Sequence, residues 1–549
     1  MRTAIKTLAG CWLVAVLSVA NLAAAAERDT RLVQAAADQD RQTVRELLKQ
    51  GVDVNAARAD GVTALLWAAH WNDLDMIDAL LKAGAKVNAA DDYGVTALTR
   101  ACENTSEAAV TRLLAAGANP NAAQKSGLTP LMVAARTGNI NVVKALLAHG
   151  ANVNAATAAA DATPLMWAVA QGYSGIVRVL VEGGANPRVS TAKGFTPLMF
   201  AARNGDIEMA KLLIAAGVDV NERGSDGTHV LPYAIVNGQD KFALFLIEQG
   251  ANPNGTINDI PALHTAAGTV SPWLSTWARR HGVGGSLTFG APIASLAPER
   301  RLALVKALVA KGADPNGRIS TSAMFMGYIG YPKKGAFEPF STGTGDLVGA
   351  TPLWVAAYTA NGNVPRVDPR IVETTVSEAT VDILKVLLAA GANPHLTTVD
   401  GTTPLMVAAG LGRPTFSPGL QRGNRSETAE QAVKTLLDAG ADINAINEAD
   451  FTALHGAAFR GLNEVIQILV DRGADLNARD YKGRTPYRIA EGSKQSFQFQ
   501  AYPATAEFIK SLGANTRLGV AGTVQERARD LAAAAAAASA GSSGQQQPQ

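Results

Sequence analysis

Catalysis needs a nucleophile beside a base, an acid beside a base, or several ligands converging on one ion. The 549-residue chain was searched first for such sets. Its seven histidines are spread along the sequence, and no H-E-x-x-H pair occurs. "QGYSGIV" (171–177) approaches the serine-nucleophile phrase G-x-S-x-G but lacks its spacing. "GTGDLVG" (343–349) is rich in glycine, yet no clear strand precedes it, so it reads as a loop rather than a phosphate cradle. Among the Asp and Glu residues no pair is spaced to single out an acid and a base. The two cysteines are Cys11 and Cys102. Cys102 falls in an alanine-rich helical stretch and reads as a buried structural thiol. No catalytic residue, metal or cofactor is therefore expected. What remains for chemistry is contact: tryptophan, phenylalanine, tyrosine and arginine at recurring places.

Bulk composition narrows the partners. Charged residues make up 17%, net charge is +2, and Lys and Arg are scattered rather than gathered in a stripe, so nucleic acid is not expected. The first 26 residues have the form of an export leader: Arg2 and Lys6, an apolar run Leu8–Ala20, then Ala24–Ala25–Ala26. Cleavage near Ala26 and a periplasmic or secreted location are the expectation. "LAGC" (8–11) resembles a lipobox, but the apolar run Trp12–Ala20 follows Cys11 instead of preceding it; a lipoprotein or an uncleaved anchor stands as the alternative. No later stretch reaches 18 apolar residues, so no further membrane span is expected. After the leader only Cys102 is left, and one thiol closes no internal disulfide.

The elements that must position the aromatic residues repeat. "TALLWAA" begins at Thr63, "TALTRAC" at Thr96, "TPLMVAA" at Thr129, "TPLMWAV" at Thr163 and "TPLMFAA" at Thr196. "THVLPYA" (Thr228), "PALHTAA" (Pro261), "TPLWVAA" (Thr351), "TPLMVAA" (Thr403), "TALHGAA" (Thr452) and "TPYRIAE" (Thr485) complete eleven phrases. Spacing from Thr63 to Pro261 is 32 to 34 residues. A closing phrase follows each, such as "ALLAHGANVN" (145–154), and twelve of these occur from "ELLKQGVDVN" (46–55) onward. In one unit, Thr129 is an N-cap, Pro130 fits the first helical position, and Gly138 ends the helix. A second helix is expected over about Asn141–His149, closed by a left-handed Gly150.

This unit of about 33 residues, helix–turn–helix–finger with a T-P-L-H-x-A-A phrase, resembles the ankyrin repeat. The resemblance implies an all-α solenoid of about twelve units in which each repeat packs on its neighbours. Expected boundaries are a leader over 1–26, repeats over 27–317 and 350–517, and a low-complexity tail over 518–549. The unit at 31–51 lacks the phrase and carries charge, which suits a capping repeat; the last, from Thr485, is also degenerate. His264 and His455 occupy the histidine slot of the phrase, which the family uses for local hydrogen bonds.

Between Pro261 and Thr351 lie 90 residues instead of 33. Extra chain is expected near 269–299, in the turn between helices, and over 318–349, in the finger. The next two repeats lengthen the same turn near 360–378 and 411–427, and a smaller addition lies near 493–501. The first two insertions hold Trp273, Trp277, the run Arg279–Arg280–His281, Phe289, Met324, Phe325, Met326, Tyr328, Tyr331, Phe337 and Phe340. A disordered insert would be poor in aromatics, so order and a contact role are expected here. The bland reading is an excursion that packs on its own solenoid.

The resemblance further implies binding by the face that fingers and first helices share. One position on it lies between the phrase's fourth letter and its Ala-Ala pair: Trp67, Arg100, Val133, Trp167, Phe200, Pro232, Thr265, Trp354, Val407, Gly456 and Ile489. Another, just before the threonine, includes Leu128, Phe195, Ile260 and Phe451. The candidates for partner contact are Trp67, Arg100, Trp167, Phe200, Trp273, Trp277, Arg279, Arg280, Met324, Phe325, Tyr328, Tyr331, Phe337, Phe340 and Trp354. The expected function is a non-catalytic scaffold, monomeric, binding a protein outside the cytoplasm. A glycan or small-ligand binder (or hydrolase) using the insertions as a pocket, and a secreted host-directed effector, are the competing readings.

Overall fold

The first helices of the repeats start on one local device. The hydroxyls of Thr63, Thr96, Thr129, Thr163, Thr196, Thr351, Thr403, Thr452 and Thr485 each accept the backbone N–H three residues on. Each satisfies an N–H that the helix itself leaves open, worth about 1 kcal/mol. Where proline follows, as at Pro130 and Pro352, its missing N–H falls where none is needed. Asp40, Asp73, Ser106 and Asn139 cap the second helices in the same manner. The helix Pro130–Thr137 stops at Gly138, whose φ of 97° is left-handed. Its partner helix runs Ile140–Ala148 and is followed by Gly150 at φ 83°.

The structure is a computed structural model that describes residues 29–281, 296–322, 347–361, 377–412, 425–481, 483–492 and 502–518. These fall into two compact units. One holds the residues up to Ala201 together with Glu208–Val218; the other holds Ala202–Ile207 and the residues from Asp219 onward. The fold is an all-α ankyrin-type solenoid. In the first unit the helices Arg31–Ala37, Ala64–His70, Ala97–Glu103, Pro130–Thr137 and Pro164–Ala170 stack in chain order. Behind them Arg41–Lys49, Leu74–Lys82, Glu107–Ala115, Ile140–Ala148 and Ser174–Glu182 form a second layer. Ala134 and Ala135 have no exposed surface, and with Leu131, Val142, Val143 and Leu146 they fill the space between layers. Small alanines at these places let neighbouring helices approach closely.

The second unit repeats the scheme with Val230–Val236, Ala262–Ala267, Pro352–Ala360, Pro404–Ala408, Ala453–Arg460 and Pro486–Glu491 in one layer. Asp240–Glu248, Pro298–Ala310, Glu378–Ala389, Glu427–Asp438, Asn463–Asp471 and Pro503–Ser511 make the other. Among the described residues the paired strands are Thr256–Ile257 and Ile260–Pro261, joined by Asn258 and Asp259 at φ 49° and 62°. Positive φ at both turn residues is what a tight hairpin requires.

An asparagine ladder keeps the repeats in step. Asn121 donates from its side chain to the carbonyl of Gly150 at 2.9 Å and accepts the N–H of Asn152 at 2.7 Å. The same pair of bonds crosses the long gaps: Asn254 reaches Gly312 and Asp314, and Asn316 reaches Gly391 and Asn393. The ladder is thus kept across the stretches of added sequence.

One reading of the repeat phrase is corrected. In "THVLPYA" the helix is Val230–Val236 and the capping place belongs to His229, whose ring Nδ1 meets the Thr256 N–H at 2.9 Å. The phrase is shifted by one residue here, so Tyr233, and not Pro232, stands where Trp67 stands in its repeat.

Candidate functional site

The residue four places after the first-helix cap sits on the side of that helix away from the second layer. In the first unit this row reads Trp67, Arg100, Val133, Trp167 and Phe200. Val133 is buried, and the other four are half-buried. Trp67 stacks with Trp71 at 6.0 Å and meets His70 edge-on at 5.4 Å. Trp71 is itself 40% exposed, with its indole N–H donated to the Ala37 carbonyl at 3.1 Å. The Arg136 guanidinium lies 5.7 Å over the Trp167 ring, within range of a cation–π attraction. Phe200 and Phe195 are 6.1 Å apart. Arg100 is paired with Glu103 at 2.8 Å. The row thus offers aromatic area held by neighbours, the type of surface that anchors interfaces.

The second unit's row reads Tyr233, Thr265, Val355, Val407, Gly456 and Ile489, and every one is buried; Trp354, three places after its cap Thr351, stands one place before the row, where Leu66 stands in the repeat of Trp67. For Tyr233 and Trp354, part of the cover is the chain's own helix Ser271–His281. Trp277 meets Tyr233 edge-on at 6.1 Å, and Trp273 meets Trp354 edge-on at 6.2 Å. The Trp277 indole N–H donates to Asp226 Oδ2 at 2.8 Å. The Trp277 and His281 rings stack at 4.4 Å. His281 Nε2 faces the same Asp226 oxygen at 3.0 Å, and its Nδ1 faces the Trp277 carbonyl at 2.8 Å. Burial works to raise the Asp226 carboxyl, but hydrogen bonds from Thr228 and Trp277 outweigh it and hold it below its ordinary value. The hairpin turn grips the helix from another side: Asn258 donates to the Trp273 carbonyl at 2.9 Å and accepts from Arg280 at 3.0 Å.

The chain enters this helix through Gly268. A Cβ there would overlap Thr359 Oγ1 and the Val355 carbonyl. Thr359 Oγ1 accepts the Thr269 N–H at 3.0 Å. Gly268 therefore allows the backbone to run against the first helix of the following repeat.

Several sequence expectations change as a result. Trp273 (2% exposed), Trp277 (4%) and Trp354 (0%) face their own chain and offer a partner almost no surface. Trp354 also donates its indole N–H to the Thr402 carbonyl at 3.1 Å and stacks on Tyr358 at 5.5 Å. The reason is geometric: edge-to-face contacts between aromatic side chains join the inserted helix to the row. Arg279 and Arg280 are exposed on that helix. Met324, Phe325, Tyr328, Tyr331, Phe337 and Phe340 lie outside the described residues. Asp226, Tyr233 and Asn258 were missed. For Asp226 a signal existed: Asp-Gly recurs just before the cap at Asp60–Gly61 and Asp400–Gly401.

His264 and His455 are fully buried, and of the two only His455 makes the expected local bond. His264 Nε2 meets the Ala350 carbonyl at 3.1 Å, and burial pushes its pKa down to about 4. His455 Nδ1 meets Thr452 Oγ1 at 2.9 Å, Nε2 meets the Arg484 carbonyl at 3.2 Å, and burial again lowers its pKa. Burial pushes the Cys102 thiol up, which leaves it protonated and unreactive. Among the described residues no group of His, Cys, Asp and Glu could hold a metal ion, and no helix is long and apolar enough to cross a membrane.

Comparison with known proteins agrees with this architecture. Family models described as ankyrin repeats match residues 32–124, 104–191 and 165–257, and further ones match 400–448 and 436–490. The ankyrin repeat and SOCS box protein 16 of Homo sapiens is 32% identical over 143 residues, 26% of this chain and 28% of that protein. The neurogenic locus Notch protein of Drosophila melanogaster is 36% identical over 144 residues, 26% of this chain and 5% of its own length. Serine/threonine-protein kinase 12 of Arabidopsis thaliana is 42% identical over 60 residues, 11% and 13% of the two chains. The chain spans less than a third of the length of each of these relatives.

Proposed function

Because this chain belongs to the ankyrin-repeat family, whose repeats are generally protein-interaction modules, we propose that it is a non-catalytic scaffold that binds a protein through its first unit. The observation that carries the reading is the half-buried row Trp67, Arg100, Trp167 and Phe200, set beside a second-unit row with no surface to offer. Aromatic rings and arginine give large contact area with few rotors to freeze, so a partner that desolvates them gains more than it would on a polar face. We further propose that the protein acts outside the cytoplasm after removal of the leader over residues 1–26, and as a monomer. Arg2, Lys6, the apolar run Leu8–Ala20 and Ala24–Ala26 support the export.

Two measurements test this. Crosslinking in cells of the source organism, followed by capture of the full chain, is expected to yield a specific protein. That protein is expected to be lost from a Trp67→Ala/Trp167→Ala/Phe200→Ala variant and kept by a Cys102→Ala variant. Equal capture by the triple variant would remove the row as the site. Fractionation with N-terminal sequencing is expected to find a chain starting near Glu27 outside the cytoplasm; an intact Met1 in the cytosol would end the export proposal.

A further inference from the structure

The second unit shows what its row accepts, because a helix of the same chain lies on it. That helix brings two indoles one turn apart, at Trp273 and Trp277, and a basic last turn of Arg279, Arg280 and His281. Its receiving couple is Asp226 and Tyr233, seven residues apart: the carboxylate takes the indole N–H and faces the imidazole, and the phenol ring takes the indole edge.

The first unit holds the same couple at the same spacing. Asp60 and Trp67 are seven residues apart, before and after the cap Thr63. Asp60 Oδ1 accepts the N–H of Val62 at 3.2 Å, as Asp226 Oδ1 accepts that of Thr228 at 2.9 Å. The two carboxylates are therefore fixed by the same local turn. Asp60 is exposed, Trp67 is half-buried, and Trp71 and His70 extend the aromatic surface beside them. The nearest cation of the row, Arg100, is already paired with Glu103. A negative carboxylate next to an open aromatic face suits a basic, aromatic helix end.

We propose that the Asp60–Trp67 couple of the first unit binds a partner protein's helix that carries two aromatic side chains one turn apart and a basic last turn. This rests on the reading of the first unit's row as a contact face, and it names the chemistry of the occupant. The cationic end of that helix lies at Asp60 and one of its aromatic rings on Trp67.

The probe is a fluorescein-labelled synthetic peptide of residues 268–282, GTVSPWLSTWARRHG, titrated with the full chain by fluorescence anisotropy. Saturable binding is expected, weakened about tenfold or more by Asp60→Lys and by Trp67→Ala. Added salt is expected to weaken it, since a surface charge pair is screened. A Trp273→Ala/Trp277→Ala peptide is expected not to bind, and Asp226→Asn in the protein is expected to leave binding unchanged or to strengthen it. No saturable binding up to about millimolar peptide, where affinity is about 4 kcal/mol, would overturn the proposal. So would binding indifferent to Asp60→Lys, an exposed substitution that spares the fold. If a captured partner depends on Trp167 and Phe200 while the peptide fails, the contact face stands and the helical occupant falls.

Discussion

In the first unit the fourth residue after the cap is Trp67, Arg100, Val133, Trp167 or Phe200, and all but Val133 keep part of their surface in solvent. In the second the same place holds Tyr233, Thr265, Val355, Val407, Gly456 and Ile489, and all are buried. The backbone plan is shared, down to the threonine caps and the asparagine ladder. What differs is that the chain between Gly268 and His281 turns back over the second unit and sets Trp277 against Tyr233, where the first unit leaves Trp67 half-buried. The difference teaches that an ankyrin unit's contact face is a position, and that occupancy by the chain itself decides whether it is a surface or a core.

The comparison breaks most sharply at the inserted tryptophans. Trp273→Ala and Trp277→Ala are each expected to cost about 3–5 kcal/mol, because they empty a closed aromatic site. Hydrogen exchange should show the loss in Ala262–Ala267 and Pro352–Ala360 and spare Ala64–His70. An equal loss in both units would show that the helix is not a local support of the second.

Acid comes next. His264 is neutral in the fold, with its pKa lowered by burial to about 4 from 6.5. Between those values the unfolded chain binds a proton that the folded chain does not, so stability rises with pH there and falls as pH drops from about 6.5 to 4. The shift corresponds to a loss on the order of 3 kcal/mol at most. The first unit's His70 and His149, by contrast, are exposed. Exchange measured at pH 7 and pH 4.5 should weaken the second unit first, and His264→Asn should reduce the difference.

Gly268→Ala is expected to cost about 1–3 kcal/mol, since the added carbon pushes on Thr359 and Val355. Thermal unfolding checks it, and Gly150→Ala is a poor control because that φ is left-handed. The smallest effect is Trp67→Ala, expected to cost about 1 kcal/mol in stability because the side chain is only half-buried. Its loss should fall on partner capture instead. A stability loss as large as that of Trp273→Ala would erase the contrast between an open and a closed row.

Much of the fold is legible in the letters. Thr-Pro at 129–130 announces a cap and a first helical residue, Gly138 a stop, and the Ala pairs a close packing face, because each acts through its own backbone or its immediate neighbours. The shift at His229 is the instructive failure. "THVLPYA" matches the phrase by letters, but the His229 ring bonds to the Thr256 backbone, and that contact moves the helix start by one residue. The partner of His229 is 27 residues away, and the one local sign of the shift is the Asp226–Gly227 pair, which stands before His229 as Asp60–Gly61 stands before Thr63.

The same divide runs through the site. By itself the sequence determined the repeat, its caps, its ladder and the places where aromatic residues recur. It did not determine which of those residues meet solvent. Trp67 and Tyr233 hold the same place, four residues after the caps Thr63 and His229, one half-buried and the other 3% exposed. Only the tertiary structure decided between them. Burial of an aromatic ring is set by what else covers it, and at Tyr233 part of that cover is the helix Ser271–His281, which comes later in the chain and is held by Asp226, Asn258 and Gly268.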